Sequence, residues 1–590
     1  MKRVKVLQHP LLRKYFPLVH EDLMAVYSRD LQKWLFVAPM IGITTGLAIT
    51  GIVVVLLGRL WPWVLNYYLT HHWAIIPGLV LGFAATGLIM QYLTPDPDEH
   101  STEEVIRSYH EHEGDIDVRP FAAKILAAIT TVGFGGSAAL EGPSIYGGAA
   151  IGSWLWTKLR RFRFNNRDRR IMLICGAAAG MSAVFRAPLT GIVFALEMPY
   201  RDDLAHEALV PSLIASVVSY VTLGSFLGSK PLFDFIGGTS YSRTDLYWSA
   251  LLGLLIGLAA MAFVVTFRRA RTFFVEWSIP HWMKLVVGGL LTGLCGVIFL
   301  HIYGGSLVPI GPNYEAVGDI LHRHHSSSQL LVFSGLKLGA TISTLACGGV
   351  SAMFVPLFLT GGSLGIAFAQ SIVHSPALGL YAAVGMASFI SAGYKTPLAA
   401  VVFVAEATGG HAFIIPALIG AAVAYGVSGD ASASGDQRLH ETSRARKLRY
   451  IPVSEIMQEQ LVSASANHSL EEFLHMLSPH LQHEAFPVFD DTGLIGAVSP
   501  VSITRVPPDK WASTKVCDIA DKRVSTIHPD CDVMEALRLL TSEHHQSILL
   551  VVSVKGEVKG VVTKTDILQA LKVYGEGRDV PHEKLPEPSS

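Results

Sequence analysis

The chain has 590 residues, half of them hydrophobic and only 16% charged, with 46 Lys and Arg against 47 Asp and Glu. Its 54 glycines and mean hydropathy of +0.41 exclude an ordinary soluble globular protein. The balanced charge gives no basic face for nucleic acid.

The first segment, MKRVKVLQHPLLRKYF, is basic and mixed and does not read as a cleaved signal. Runs at Trp34 to Leu57, Trp73 to Leu93 and Leu246 to Phe267 carry no acidic or basic residue. Each is long enough for a bilayer, which takes about 20 helical residues. Other runs, AAAGMSAVFRAPLTGIVFALEMP (177–199) and ACGGVSAMFVPLFLTGGSLG (346–365), are interrupted by Gly and Pro and predict half-length helices. Positive charge gathers in the N-terminus, KLRRFRFNNRDRR (158–170), FRRAR (267–271) and RARKLRY (444–450), which assigns these segments to the cytoplasm. The five cysteines, Cys175, Cys295, Cys347, Cys517 and Cys531, show no metal-ligand pairing and read as free thiols.

Beyond residue 430 the long apolar runs end. The expected organisation is a cytosolic segment 1–33, a membrane domain 34–430 with repeats near 34–230 and 246–430, a linker 431–450, two soluble modules at 451–508 and 509–574, and a disordered tail 575–590. The membrane repeats are visible directly. FRAPLTGIVFALE (185–197) matches YKTPLAAVVFVAE (394–406), and GGSAALEGPSIYGGAAIG (135–152) matches GGVSAMFVPLFLTGGSLG (348–365), at spacings of 209 and 213 residues. Paired broken helices in two halves mark a transporter-type fold with its site near the midplane. VSEIMQEQLVSASANHSLEEFLHML (453–477) likewise matches VCDIADKRVSTIHPDCDVMEALRLL (516–540) and resembles a tandem pair of cystathionine-β-synthase (CBS) modules.

One carboxylate, Glu141, precedes Gly142 and Pro143 in this apolar setting. Proline suits the first turn of a helix, and the free N–H groups and dipole there attract an anion. Glu141 can therefore compete with a permeating anion and leave when protonated; the bland alternative is a buried acid neutralised by an arginine or by hydrogen bonds. The second copy carries Phe354 at the equivalent place.

EGP at 141–143, AMFVP at 352–356, the APLTGIVFALE and TPLAAVVFVAE pair and the CBS pair together resemble the CLC family of chloride channels and chloride/proton exchangers. The resemblance implies a mostly α, multi-pass inverted-repeat membrane fold with a small α/β CBS-pair domain, working as a homodimer. It implies that Glu141 gates the path and that the backbone around Met353, Phe354 and Val355, with Gly142 and Pro143, faces the anion. The sequence departs from the family in several places. Ala139 and Leu140 replace a Gly and a basic residue, which removes a positive charge from the outer mouth. EHSTEE (99–104) lies over the first anion motif, with His100, or Ser101 one residue away, at the coordinating position; the His is an anion ligand or a plain loop residue. Acids there are unfavourable unless neutralised. Ser434 stands where the family has its central tyrosine, so the inner gate is expected to be wider or differently built. Met198 stands at the proton-path position that is a second glutamate in typical exchangers. Glu197 and Glu406 recur in both repeats and read as structural acids that cap or pair within each.

In the second CBS module, GVVTKTDI (560–567) resembles an adenine-nucleotide site in which Asp566 takes the ribose hydroxyls and Thr563 approaches phosphate; the alternative is a helix cap. Histidine clusters at 322–325, 480–483 and 543–546 read as surface segments, and no metal site is expected. No HExxH, GxSxG or phosphate loop suggests catalysis, so the expectation is that the chain is not an enzyme and requires no cofactor, with an adenine nucleotide a candidate ligand of the CBS pair. The expected function is passive or weakly proton-coupled transport of chloride or a similar anion in the plasma or inner membrane, with the N-terminus and CBS pair cytoplasmic. The alternatives are a chloride/proton antiporter and a non-conducting sensor signalling through the CBS pair.

Overall fold

The computed structural model describes residues 28–97, 101–160, 164–228, 241–304, 306–314, 325–408, 411–438, 451–458, 463–477, 486–490, 493–498, 500–521, 525–541, 548–553 and 557–575. Contacts divide the chain into two units, Met1–His440 and Glu441–Ser590.

The first unit is helical throughout its described residues. Its first half comprises α1 (Ser28–Val55), which continues through a π-helical turn into α2 (Trp61–Thr70), then α3 (Ile75–Leu93), α4 (Ser101–Glu111), α5 (Phe121–Gly133), α6 (Glu141–Leu159), α7 (Asn166–Phe185), α8 (Pro188–Glu197) and α9 (Leu209–Leu227). The second comprises α10 (Arg243–Glu276), α11 (His281–Tyr303), α12 (Ser327–Ala346), α13 (Phe354–Phe368), α14 (Leu378–Tyr394), α15 (Pro397–Thr408) and α16 (Ile414–Val427). Among the described residues seven stretches are long and apolar enough to cross a membrane, including all three runs expected from the sequence. Five shorter apolar helices accompany them; the broken run 177–199 gives one, the ten-residue α8, as expected, whereas the run 346–365 leads into α13, whose helix continues to Val373 and counts among the seven. Large apolar side chains such as Phe36, Leu81, Val221 and Ile298 stay exposed on the spans, as surfaces that meet lipid do. The chain is an integral multi-pass membrane protein.

The two halves repeat each other down to single backbone angles. Gly135 and Gly348 both adopt φ +107°, a turn that a side chain rarely takes. Arg186 and Lys395 end α7 and α14 in the left-handed region, with φ of 53° and 60°. Pro188 and Pro397 then open α8 and α15, where their missing N–H costs nothing. Glycine also sets how closely helices pack. A Cβ at Gly148 of α6 would lie 2.0 Å from the Gly176 carbonyl oxygen of α7, and one at the equivalent Gly361 of α13 would lie 2.3 Å from the Gly385 carbonyl oxygen of α14.

The second unit holds two small sheets of one plan. β1 (Ala464–Ser465) pairs in parallel with β2 (Phe486–Asp490), which pairs antiparallel with β3 (Gly493–Val498); β4 (Thr526–Ile527), β5 (Ile548–Val552) and β6 (Val558–Thr563) repeat this. Helices α17 (Leu470–Leu477), α18 (Pro500–Thr504), α19 (Val516–Ile519), α20 (Val533–Thr541) and α21 (Lys564–Gly575) complete it. The lead-in of each module packs on the other. Ile451 and Val453 join the core of Ile527, Leu549 and Val562, and Gln458 bridges Val561, while Val516 joins the core of Phe473, Phe486 and Val488. Module boundaries drawn along the sequence therefore cut across both cores.

Because the atom opposing Gly148 is backbone, Gly148→Ala forces α6 and α7 apart. Thermal unfolding in detergent is expected to show a loss of about 1–3 kcal/mol, the usual cost of overpacking. Gly51→Ala, where nothing lies within 4 Å, is expected to be neutral.

Candidate functional site

Two loops, one from each repeat, meet inside the first unit. Ala139 N–H donates to the Ala352 carbonyl at 2.9 Å and Ala352 N–H returns the bond at 3.4 Å, while the Ser351 hydroxyl also donates to Ala139. This short antiparallel bridge brings the N-termini of α6 and α13 together. Glu141, the first residue of α6, is 1% exposed, and its Oε1 accepts the Phe354 N–H at 2.5 Å. Its Oε2 has no hydrogen-bond partner among the described residues. No ion pair joins an arginine or lysine to Glu141 among the described residues, and of the bland alternative it is the hydrogen-bonded form that the Phe354 N–H contact matches. The carboxylate sits at the α13 N-terminus, where free N–H groups and the helix dipole favour a negative charge.

The rest of the first turn is organised by aromatic side chains. Phe354 is enclosed by Phe185, Phe194, Tyr394 and Phe403, with ring centroids 4.8–5.8 Å away. Met353 N–H, expected to face the anion, donates to the Tyr394 hydroxyl at 3.0 Å. Leu140 N–H likewise donates to the Tyr314 hydroxyl at 3.2 Å. Val355 N–H lies in the first turn, where no intrahelical acceptor exists, and Gly142 and Pro143 are buried in the first turn of α6.

A cavity of about 40 Å³ lies beside this point, lined among others by Thr102, Glu103, Arg271, Met353, Tyr394 and Ser434. Ser434 is among the residues that line it. A phenol lines the same cavity from elsewhere in the chain: Tyr394, the last residue of α14. Tyr394 is the repeat counterpart of Phe185, a signal the alignment of the two halves already contained.

The two described acids of the first motif, Glu103 and Glu104, have cationic partners. Arg271 of α10 donates to Glu103 at 2.6 Å, Gly435 N–H donates to the same oxygen at 3.3 Å, and Lys124 of α5 pairs with Glu104. His100 lies outside the described residues, and of Ser101 only the backbone, at the start of α4, is described. Thr102, which sequence reading passed over, lines the cavity. One lysine, Lys337, is tied through Gly311 to the loop before Glu141. It is fully buried on α12 and donates to the Gly311 carbonyl at 3.0 Å, and Gly311 N–H donates to Gly135 at the start of the loop that leads to Glu141.

Met198 is 1% exposed beside Glu197, and its carbonyl accepts from Gln437 at 3.1 Å. Glu197 accepts the N–H groups of Leu398 and Ala399 at 3.0 and 2.8 Å, and Glu406 accepts those of Leu189 and Thr190 at 3.0 and 2.8 Å. The expected structural acids are capping groups, but each caps the helix of the opposite repeat rather than its own. Burying either helix end without an acceptor would strand its N–H groups, and only the other repeat's acid is in reach.

In the second unit Asp566 is committed. Oδ2 accepts from the Thr563 N–H at 2.8 Å and hydroxyl at 2.7 Å, and Oδ1 accepts from Gln458 at 2.7 Å. In this arrangement it caps α21, the alternative weighed for this motif.

Residues 81–429 match the family described as voltage-gated chloride channel, and residues 453–509 and 516–573 match the CBS domain. The chain belongs to the voltage-gated chloride channel (CLC) family. It is a CLC-type anion-transport protein with two C-terminal CBS domains and not an enzyme. It is 26% identical over 413 residues to a ClcB-like chloride channel protein of Ralstonia nicotianae, covering 67% of this chain and 87% of that one. It is 31% identical over 320 residues to the H(+)/Cl(−) exchange transporter ClcA of Yersinia pestis, covering 51% and 63%. Among solved structures, a CLC-type fluoride/proton antiporter superposes with a TM-score of 0.60 at 22% identity, over 70% of this chain and 99% of that one. A eukaryotic CLC transporter superposes with 0.57 at 17% identity, over 91% and 98%. These show the fold.

Glu406→Ala leaves the buried Thr190 without an acceptor for its N–H, at about 1–3 kcal/mol, and removes the acceptor of the more exposed Leu189 N–H as well. Thermal unfolding is expected to fall well below wild type for Ala and to recover partly for Glu406→Gln, which keeps one acceptor oxygen. Equal stability of all three would contradict the cross-capping.

Proposed function

We propose that this chain exchanges a small anion, chloride first, for protons, and that Glu141 is the group both ions contend for. The observation that carries the reading is the Glu141 carboxylate on the Phe354 N–H, between two helix N-termini. Ionised, it fills the anion's place. Protonated, it loses the charge that holds it against the helix dipole, and an anion replaces it. Gly142, Pro143, Phe354 and Val355 frame that place, and Met353 and Ser434 border its approach. His100 and Ser101 stay candidates from the resemblance alone.

The passive or weakly coupled reading drawn from Met198 is the less supported one. The Yersinia relative is named as an exchanger, and two solved structures of this fold, the fluoride/proton antiporter and a slow cyanobacterial Cl−/H+ antiporter (TM-score 0.58, 21% identity), are antiporters. Methionine carries no proton, so protons must reach Glu141 by another route. The cavity lined by Ser434 and Tyr394 is one wide enough for water. We further read the protein as a homodimer with its N-terminus and CBS pair cytoplasmic, on the family resemblance and the placement of basic segments. An adenine nucleotide at the CBS pair would have to draw Asp566 away from Gln458, with Thr563 toward phosphate.

The test is flux from liposomes holding the purified protein, with chloride and external pH recorded together. Wild type is expected to move protons against chloride, uphill when chloride drives them. Glu141→Gln is expected to reduce proton movement to the protein-free background while chloride still flows. Chloride flux without protons in wild type would make it a passive pathway. No flux with chloride or fluoride would overturn transport and leave the CBS-linked sensor.

A further inference from the structure

We propose that Arg271 is the cation that draws the anion into the cavity beside Met353, and that Glu103 is its built-in competitor. The inference rests on the anion-transport reading and adds to it the charge that sets anion affinity. The cavity, about 40 Å³, has room for two or three water-sized groups, at roughly 10–15 Å³ each. Its polar lining is rich in donors. Thr102 is nine-tenths buried and its hydroxyl has no hydrogen-bond partner among the described residues. The Tyr394 oxygen already accepts the Met353 N–H, which leaves its O–H to donate. Ser434 adds a third hydroxyl, and Arg271 adds the positive charge. Glu103 is the one carboxylate in this lining.

A guanidinium has five N–H donors in a planar fork, and the bond to Glu103 uses Nη1 at 2.6 Å. The Arg271 side chain keeps 24% of its surface exposed against 11% for Glu103, so one face serves the carboxylate while another borders the cavity. To the guanidinium, a carboxylate and a halide are the same kind of partner: one negative charge that accepts N–H bonds. Glu103 therefore both neutralises the field of Arg271 and occupies part of its donor set. The pair holds the cavity near electrical neutrality and keeps the anion loosely bound, as a transport path requires, since an ion held tightly does not leave. A purely structural tie between α4 and α10 would use the same 2.6 Å bond, but it would give no reason for the buried Thr102 hydroxyl left without a partner among the described residues beside it.

Chloride titration calorimetry on the full-length detergent-purified protein, with fluoride in parallel, separates the two. Removing the competitor with Glu103→Gln, which keeps the side-chain shape and an acceptor for Gly435 N–H, is expected to tighten chloride binding about tenfold, as an unscreened charge at close range allows. Arg271→Gln is expected to weaken it by a similar factor, and Arg271→Lys to retain most of it. If wild type binds chloride and Glu103→Gln leaves the affinity unchanged or weaker, the pair is a structural tie and this proposal falls while the transport reading stands. If neither anion binds to wild type or Glu103→Gln, both fall. Should Arg271→Gln not fold, the Glu103→Gln result alone decides.

Discussion

Two helix N-termini that meet inside a membrane set the terms for everything around them. Each brings several N–H groups without intrahelical acceptors and the positive end of a dipole, and no water from the bilayer satisfies them. At the meeting of α6 and α13 the Glu141 carboxylate supplies the negative charge and Phe354 N–H receives it at 2.5 Å. Tyr314 and Tyr394 take the N–H groups immediately before each helix. An acid that can gain a proton and lose its hold is the kind of counter-ion a small anion could replace, and the proposed function rests on that exchange.

The same constraint recurs wherever a helix begins in the interior. Glu197 and Glu406 cap α15 and α8 across the repeat boundary, so the two halves cannot be separated without stranding buried donors. Here the membrane acid is structural and fully bonded, whereas Glu141 keeps one oxygen without a described partner. That contrast, two acids with every oxygen engaged and one without, distinguishes scaffold from site more sharply than burial does, since Glu197 at 5% exposure and Glu141 at 1% are both buried.

The repeats, the half-length helices and the position of Glu141 were legible because Gly, Pro and apolar runs state their geometry locally. The equal φ values of Gly135 and Gly348 realise what the aligned GG pairs announced. What could not be read was which side chains arrive from elsewhere in the chain. Tyr394 lines the same cavity as Ser434 from a helix end about forty residues earlier, and Arg271 neutralises an acid lying far from it in sequence. Nor does a local pattern show that Glu406 caps the helix starting at Pro188 rather than its own, or that Val453 packs in the core of the second CBS module. Long-range pairing is decided by topology, and a motif reports only its own segment.

The most direct test of this account is to see what sits on the Phe354 N–H. Anomalous diffraction or cryo-EM density from protein in bromide, for wild type and Glu141→Ala, resolves it. The account predicts side-chain density bridging Glu141 to Phe354 in wild type, and in the variant a bromide peak at that same place between the starts of α6 and α13. A variant with that place empty, or filled by a shifted side chain while bromide gathers elsewhere, would contradict it.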